Sequence, residues 1–130
     1  MKAKRILVVE DDKVVQKVIA DTLKIAGYEV ATAYDGATAV KLAREQEPDL
    51  VTIDIELAKE SPDDSWDGIS VASWLRRLHQ GDAKPVFIVI SGHGEPAMIV
   101  KRAAAVGVYT CLIKPVDKKQ LLHEVATALA

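Results

Sequence analysis

Four apolar runs in this 130-residue chain each end on a residue that can do chemistry. Ile6-Leu7-Val8-Val9 leads into Glu10-Asp11-Asp12, and Leu50-Val51-Thr52-Ile53 into Asp54. Val86 to Ile90 leads into Ser91, and Tyr109 to Ile113 into Lys114. Brought to one place, these residues offer three or four carboxylates, one hydroxyl and one amine. Two carboxylates ~6 Å apart repel by about 3 kcal/mol at an effective dielectric of ~20. Several together raise one another's pKa unless a cation neutralises them. Every ligand on offer is an oxygen, which suits a hard cation, Mg²⁺ or Mn²⁺. A lysine opposite that cation would hold an oxygen of a third party such as a phosphoryl group, and the hydroxyl would donate to another. An ionised aspartate between cation and lysine is then a candidate acceptor of the group.

A common meeting point requires the four runs to be strands of one sheet, and the segments between them supply the connections. After Asp12, which suits an N-cap or first turn, Val15, Val18, Ile19, Thr22, Leu23 and Ala26 recur at helical spacing and read as the inward face, with Gly27 as the stop. Tyr28 to Ala33 reads as a further strand. Asp35 reads as the N-cap of a helix through Gln46 that packs Ala39, Val40 and Ala43. Residues 56–67 are a polar loop containing Lys59, Glu60, Pro62 and Asp63. Gly68 opens a helix through His79 with Ile69, Ala72, Leu75 and Leu78 inward. Pro96 suits the first turn of another helix, which runs to Val106, and Asp117 to Leu129 reads as the last. Five strands too apolar to face water alternate with five helices. The expected fold is therefore α/β, a (βα)5 doubly wound five-stranded parallel sheet in a three-layer sandwich. Such sheets bind ligands beyond the carboxyl ends of their strands, which is where Glu10, Asp11, Asp54, Ser91 and Lys114 fall.

Composition excludes several alternatives. The chain has 17 Lys+Arg against 19 Asp+Glu, a net charge of −2, and 49% hydrophobic residues, the balance of an ordinary globular domain. A near-neutral chain with 5% aromatic residues lacks both the basic surface and the stacking platforms of a nucleic-acid binder. Cys111 is the single cysteine, so no internal disulfide or cysteine-based zinc site can form. The apolar run after Arg5 stops after four residues, short of a signal peptide, and no stretch suits a membrane span. These features lead to the expectation of a cytoplasmic protein without membrane insertion.

The pieces Ile6-Leu7-Val8-Val9-Glu10-Asp11-Asp12, Pro48 to Asp54, Ile88-Val89-Ile90-Ser91-Gly92 and Leu112-Ile113-Lys114-Pro115, in that order, resemble a response-regulator receiver domain. The resemblance runs from Arg5 to about Leu129 and implies a flavodoxin-like fold, with residues 1–130 as one receiver domain and no output domain. It implies Asp54 as phosphoacceptor and metal ligand, Asp11 as direct metal ligand, Glu10 as an acidic partner acting through water, and the Glu56 backbone carbonyl as a further ligand. It implies Ser91 and Lys114 as the groups that contact the phosphoryl group, and a Lys114-Pro115 bond that is often cis. Mg²⁺ is the implied cofactor, with Mn²⁺ as a substitute. A histidine kinase or histidine phosphotransfer protein is the implied donor, and an unidentified protein the downstream target. The last two helices and fifth strand, carrying Lys101, Arg102, Lys118 and Lys119, correspond to the family's usual output surface. The domain would be a switch and not a turnover enzyme.

Two departures stand out. Asp54 and Gly68 are 14 positions apart, a longer connection than is usual after the acceptor. Cys111 occupies the position of the usual aromatic switch residue, with Tyr109 two residues earlier on the same strand face. Cys111 reads as core packing, Trp74 as packing, His79 and His123 as helix-surface residues, and His93 as a loop residue. A phosphohydrolase of haloacid-dehalogenase type also uses an aspartate nucleophile, but its acidic pair follows the lysine, whereas Glu10-Asp11 precedes everything here. A flavin or dinucleotide site would need a glycine- or hydroxyl-rich first turn, and three acidic residues there repel phosphate. A pseudo-receiver used only for interaction would not need the full set of ionic residues.

Overall fold

The computed structural model describes residues 3–54, 72–73, 75–77, 85–92 and 110–130. The expectations for the polar loop with Glu56, for Trp74, His79 and His93, and for Lys101, Arg102 and Tyr109 lie outside these residues. Five strands form one parallel sheet: β1 Arg5–Val9, β2 Glu29–Ala33, β3 Leu50–Asp54, β4 Val86–Ser91 and β5 Thr110–Ile113. Their order is β2-β1-β3-β4-β5. The chain leaves β1 for one side and returns past it to β3, so the order reverses between β1 and β3, which opens a crevice at their carboxyl ends.

Local chemistry explains where the helices begin. Helix α1 spans Lys13–Ile25, and the Asp12 carboxylate accepts the Val14 and Val15 N–H groups at 2.9 and 3.1 Å. Helix α2 spans Gly36–Gln46, with Asp35 accepting the Thr38 N–H at 2.7 Å. The C-terminal helix spans Lys118–Leu129, with Asp117 accepting the Gln120 N–H at 3.0 Å. Each aspartate satisfies a donor that a helix start would otherwise leave unpaired. At the end of α1, Gly27 takes φ 103°, a left-handed conformation that suits glycine and turns the chain into β2.

Alternation along the strands builds two cores. Leu7, Val9, Val51, Ile53, Phe87 and Val89 face α2 and the helical residues Ala72 and Leu75, with Cys111 packed against that cluster from a half-buried position. Ile6, Val8, Leu50, Ile88, Ile90 and Leu112 face Ile19 and Leu23 of α1 and Leu121 and Val125 of the C-terminal helix. Helices therefore cover both faces, as the sequence pattern implies, and His123 is exposed on its helix. No helix among the described residues is long and apolar enough to cross a membrane.

One expectation about α1 is corrected. Val18 is 39% exposed and Ala26 is exposed, while Gln16, Ile19, Ala20 and Leu23 are buried. The helix carries apolar residues around more than half its circumference, and periodicity alone did not identify the arc that meets the sheet.

Thr52 sits in the middle of β3, opposite Val8 and Ile88, and its hydroxyl is buried without a hydrogen-bond partner among the described residues. Burying an unpaired hydroxyl is unfavourable. Thr52→Val should stabilise the domain by about 1 kcal/mol, read as a higher urea midpoint at unchanged slope. A lower midpoint would show that the hydroxyl is used.

Candidate functional site at the carboxyl edge of the sheet

The inward column of each strand on the α1 side continues into the site. Ile6 and Val8 are followed by Glu10, Leu50 and Thr52 by Asp54, and Leu112 by Lys114. Because β1 and β3 are neighbours, Glu10 and Asp54 come together without long side chains. β5 lies two strands from β3, roughly 10 Å away, and the four-carbon lysine stem crosses that gap. Lys114 passes Gly92, where an added Cβ would lie 3.5 Å from its Cδ.

Oxygens of Glu10, Asp11 and Asp54 lie within 4.8 Å of one another. Glu10 and Asp54 are almost wholly buried, and Asp11 is half-buried. The Lys114 ammonium donates to Glu10 Oε1 at 2.6 Å and to Asp54 Oδ2 at 3.3 Å. Ser91 is buried at the end of β4, and its carbonyl accepts the Lys114 N–H at 2.8 Å. The Lys114-Pro115 bond is cis. Glu56 lies outside the described residues.

The electrostatics follow from this crowding. Burial, and next the Asp54 carboxylate, push Glu10 up to about 8, and Lys114 opposes both without cancelling them. Asp11 is raised for the same two reasons in the same order. Burial pulls Lys114 down, but contact with Glu10 and Asp54 outweighs it and its pKa is raised. Glu10 Oε2 is buried with no hydrogen-bond partner among the described residues. An all-oxygen cluster with an unpaired buried carboxylate oxygen fits a hard divalent cation.

Sequence reasoning missed Gln16. It is 5% exposed, and its side-chain amide donates to the carbonyls of Glu10 at 3.1 Å and Ala33 at 3.2 Å. The available signal was a glutamine three residues before Ile19, on the arc of α1 that packs inward.

A parallel α/β sheet with an acidic, lysine-bridged crevice at its topological switch point defines a class of phosphoryl-handling and nucleotide-handling folds. Comparison with known proteins narrows that class. The model of the response regulator receiver domain matches residues 6–126. The chain is 36% identical to the chemotaxis protein CheY of Treponema pallidum (strain Nichols) over 128 residues, 96% of this chain and 82% of that protein. It is 34% identical to the chemotaxis protein CheY of Bacillus subtilis (strain 168), over 98% of each chain. The fold matches the chemotaxis protein CheY4 of Vibrio cholerae with a TM-score of 0.86 at 24% identity, over 98% of this chain and 100% of that one. The chain belongs to the response-regulator receiver domain family. It is a regulatory phosphoacceptor module of two-component signalling, and receivers of this kind bind Mg²⁺ at an acidic pocket.

The raised Glu10 pKa has a consequence for stability without metal. Between the usual glutamate value of 4.5 and about 8, the folded chain holds a proton that the unfolded chain releases. The contribution of Glu10 to stability is therefore largest at low pH and is lost as pH rises through that window. In chelator, the urea midpoint of wild type relative to Glu10→Gln should fall from about pH 5 to about pH 8. A relative midpoint that rises across this interval would contradict the assignment.

Proposed function

We propose that Asp54 accepts the phosphoryl group and that Glu10, Asp11 and Asp54 hold the Mg²⁺ that the transfer requires. The observation that carries this reading is the Lys114 ammonium lying against both Asp54 and Glu10, beside three converging carboxylates. Mg²⁺ bound there would offset the carboxylate charge and the charge on the phosphoryl oxygens. An Asp54 carboxylate oxygen forms the new bond to phosphorus as the donor's bond to phosphorus breaks. Lys114 moves its hydrogen bond from the free carboxylate to a phosphoryl oxygen, which joins the site to β5. Ser91, on the neighbouring strand β4, donates its hydroxyl to another phosphoryl oxygen. The aspartyl phosphate then shifts a pre-existing equilibrium between two surfaces, so the domain acts as a switch.

The donor is a histidine kinase or histidine phosphotransfer protein, and α1 is the face that receives it. Val14, Val18 and Ile25 are exposed on α1, at 73%, 39% and 88%. They line a groove of about 410 Å³ together with Lys13, Lys118 and Lys17, the last of these paired with Asp21 in the same groove at 3.0 Å. The lysine rim complements an acidic partner that carries a phosphoryl group, and the groove begins one residue after Asp12, beside the acidic turn.

Incubation with a small phosphodonor and Mg²⁺ should add one phosphoryl group by intact mass, and Asp54→Asn should abolish it. An adduct that survives Asp54→Asn would refute the acceptor assignment. Val14→Glu with Val18→Glu should slow transfer from phosphorylated histidine phosphotransfer proteins by about tenfold, a loss of about 1.4 kcal/mol. The small-donor rate should stay unchanged. Equal slowing with both donors would place the effect in the site and not in docking.

A further inference from the structure

The oxygens of Glu10, Asp11 and Asp54 converge across the turn after β1, and Gln16 is placed to fix the shape of that turn. We infer that Gln16 is a positioning residue for metal binding, whose side-chain amide sets the Glu10–Asp11 peptide so that both carboxylates converge on Asp54. The inference rests on the assignment of these three residues as the Mg²⁺ site.

Both backbone polar atoms of Glu10 are engaged. Its N–H donates to the Ala33 carbonyl at 3.0 Å, and its carbonyl accepts Gln16 Nε2 at 3.1 Å. The same Nε2 donates to Ala33 O at 3.2 Å, so one amide ties the ends of β1 and β2 together. The Glu10 carbonyl belongs to the peptide plane that carries the Asp11 N–H. Holding the carbonyl therefore fixes the orientation of the link between two of the three carboxylates. On the far side of the turn, the Asp12 carbonyl accepts the Gln16 N–H at 2.9 Å. That main-chain bond is the first of α1 and anchors residue 16 one turn into the helix, so the side-chain amide reaches the Glu10 and Ala33 carbonyls from a fixed base.

Packing alone does not account for a glutamine here. At 5% exposure an apolar side chain of similar length would fill the space without the cost of burying an amide. Both carbonyls that receive the amide lie outside α1, and one of them belongs to Glu10. Groups that orient ligands from behind typically change metal affinity by about 10- to 100-fold when removed.

The test is Mg²⁺ titration by calorimetry on the full chain, comparing wild type, Gln16→Met and Gln16→Glu, with metal-free melting temperatures alongside. Methionine keeps the length and removes both hydrogen bonds, and glutamate keeps the shape while placing a carboxylate oxygen against the Glu10 carbonyl. Both variants should weaken Mg²⁺ binding by about tenfold or more, and in the wild-type chain the Gln16 side-chain amide resonances should shift at the same Mg²⁺ midpoint as the Asp11 backbone amide. Wild-type binding with unchanged affinity in the variants would overturn this inference alone. Gln16 resonances indifferent to saturating Mg²⁺ would also overturn it, even if both variants failed to fold. Absence of Mg²⁺ binding by the wild type would overturn it together with the metal-site assignment.

Discussion

Three carboxylates are held close together at the carboxyl edge of a hydrophobic sheet, and Lys114 is the ammonium that reaches two of them. In water such a group would spread apart. Here Glu10 and Asp54 are fixed by strands whose other residues form the core, so they cannot separate without disturbing the sheet. The strain is electrostatic, and two kinds of partner relieve it: a proton, which Glu10 retains to unusually high pH, or a divalent cation.

Topology decides which side chains can take part. The reversal of strand order between β1 and β3 makes the acidic turn and Asp54 neighbours, and short carboxylates suffice there. Across β4, the ionic contact has to come from a long side chain, and Lys114 provides it. This arrangement also explains how a change at Asp54 could be felt at β5: the same ammonium touches Asp54 and is covalently part of the segment leaving β5. Beneath the site, the two apolar layers on either face keep the strand ends in register.

Much of this was legible in the sequence because buried parallel strands read as uninterrupted apolar runs, and the first polar residue after each run marks the functional edge. Glu10, Asp54, Ser91 and Lys114 stand at that edge in the structure as the sequence pattern places them, and the order of the four pieces matched the receiver family. Asp12, Asp35 and Asp117 announced their helices through the chemistry of unpaired N–H groups. The inward arc of α1 was not legible. Val14, Val18 and Ile25 compete with Ile19 and Leu23 for the core, and only tertiary packing leaves the first three outside. Gln16 escaped notice because its role depends on two carbonyls, one six and one 17 residues away, that no local pattern brings together.

The most direct test of the electrostatic account is a crystal structure with Mg²⁺ and beryllium fluoride, which mimics a phosphoryl group on a carboxylate. The account predicts beryllium bonded to an Asp54 oxygen and Mg²⁺ at about 2.1 Å from oxygens of Asp11 and Asp54. Lys114 should be released from Glu10 and turned toward fluoride. Beryllium on another carboxylate, or Lys114 still paired with Glu10 beside a fully formed adduct, would contradict it.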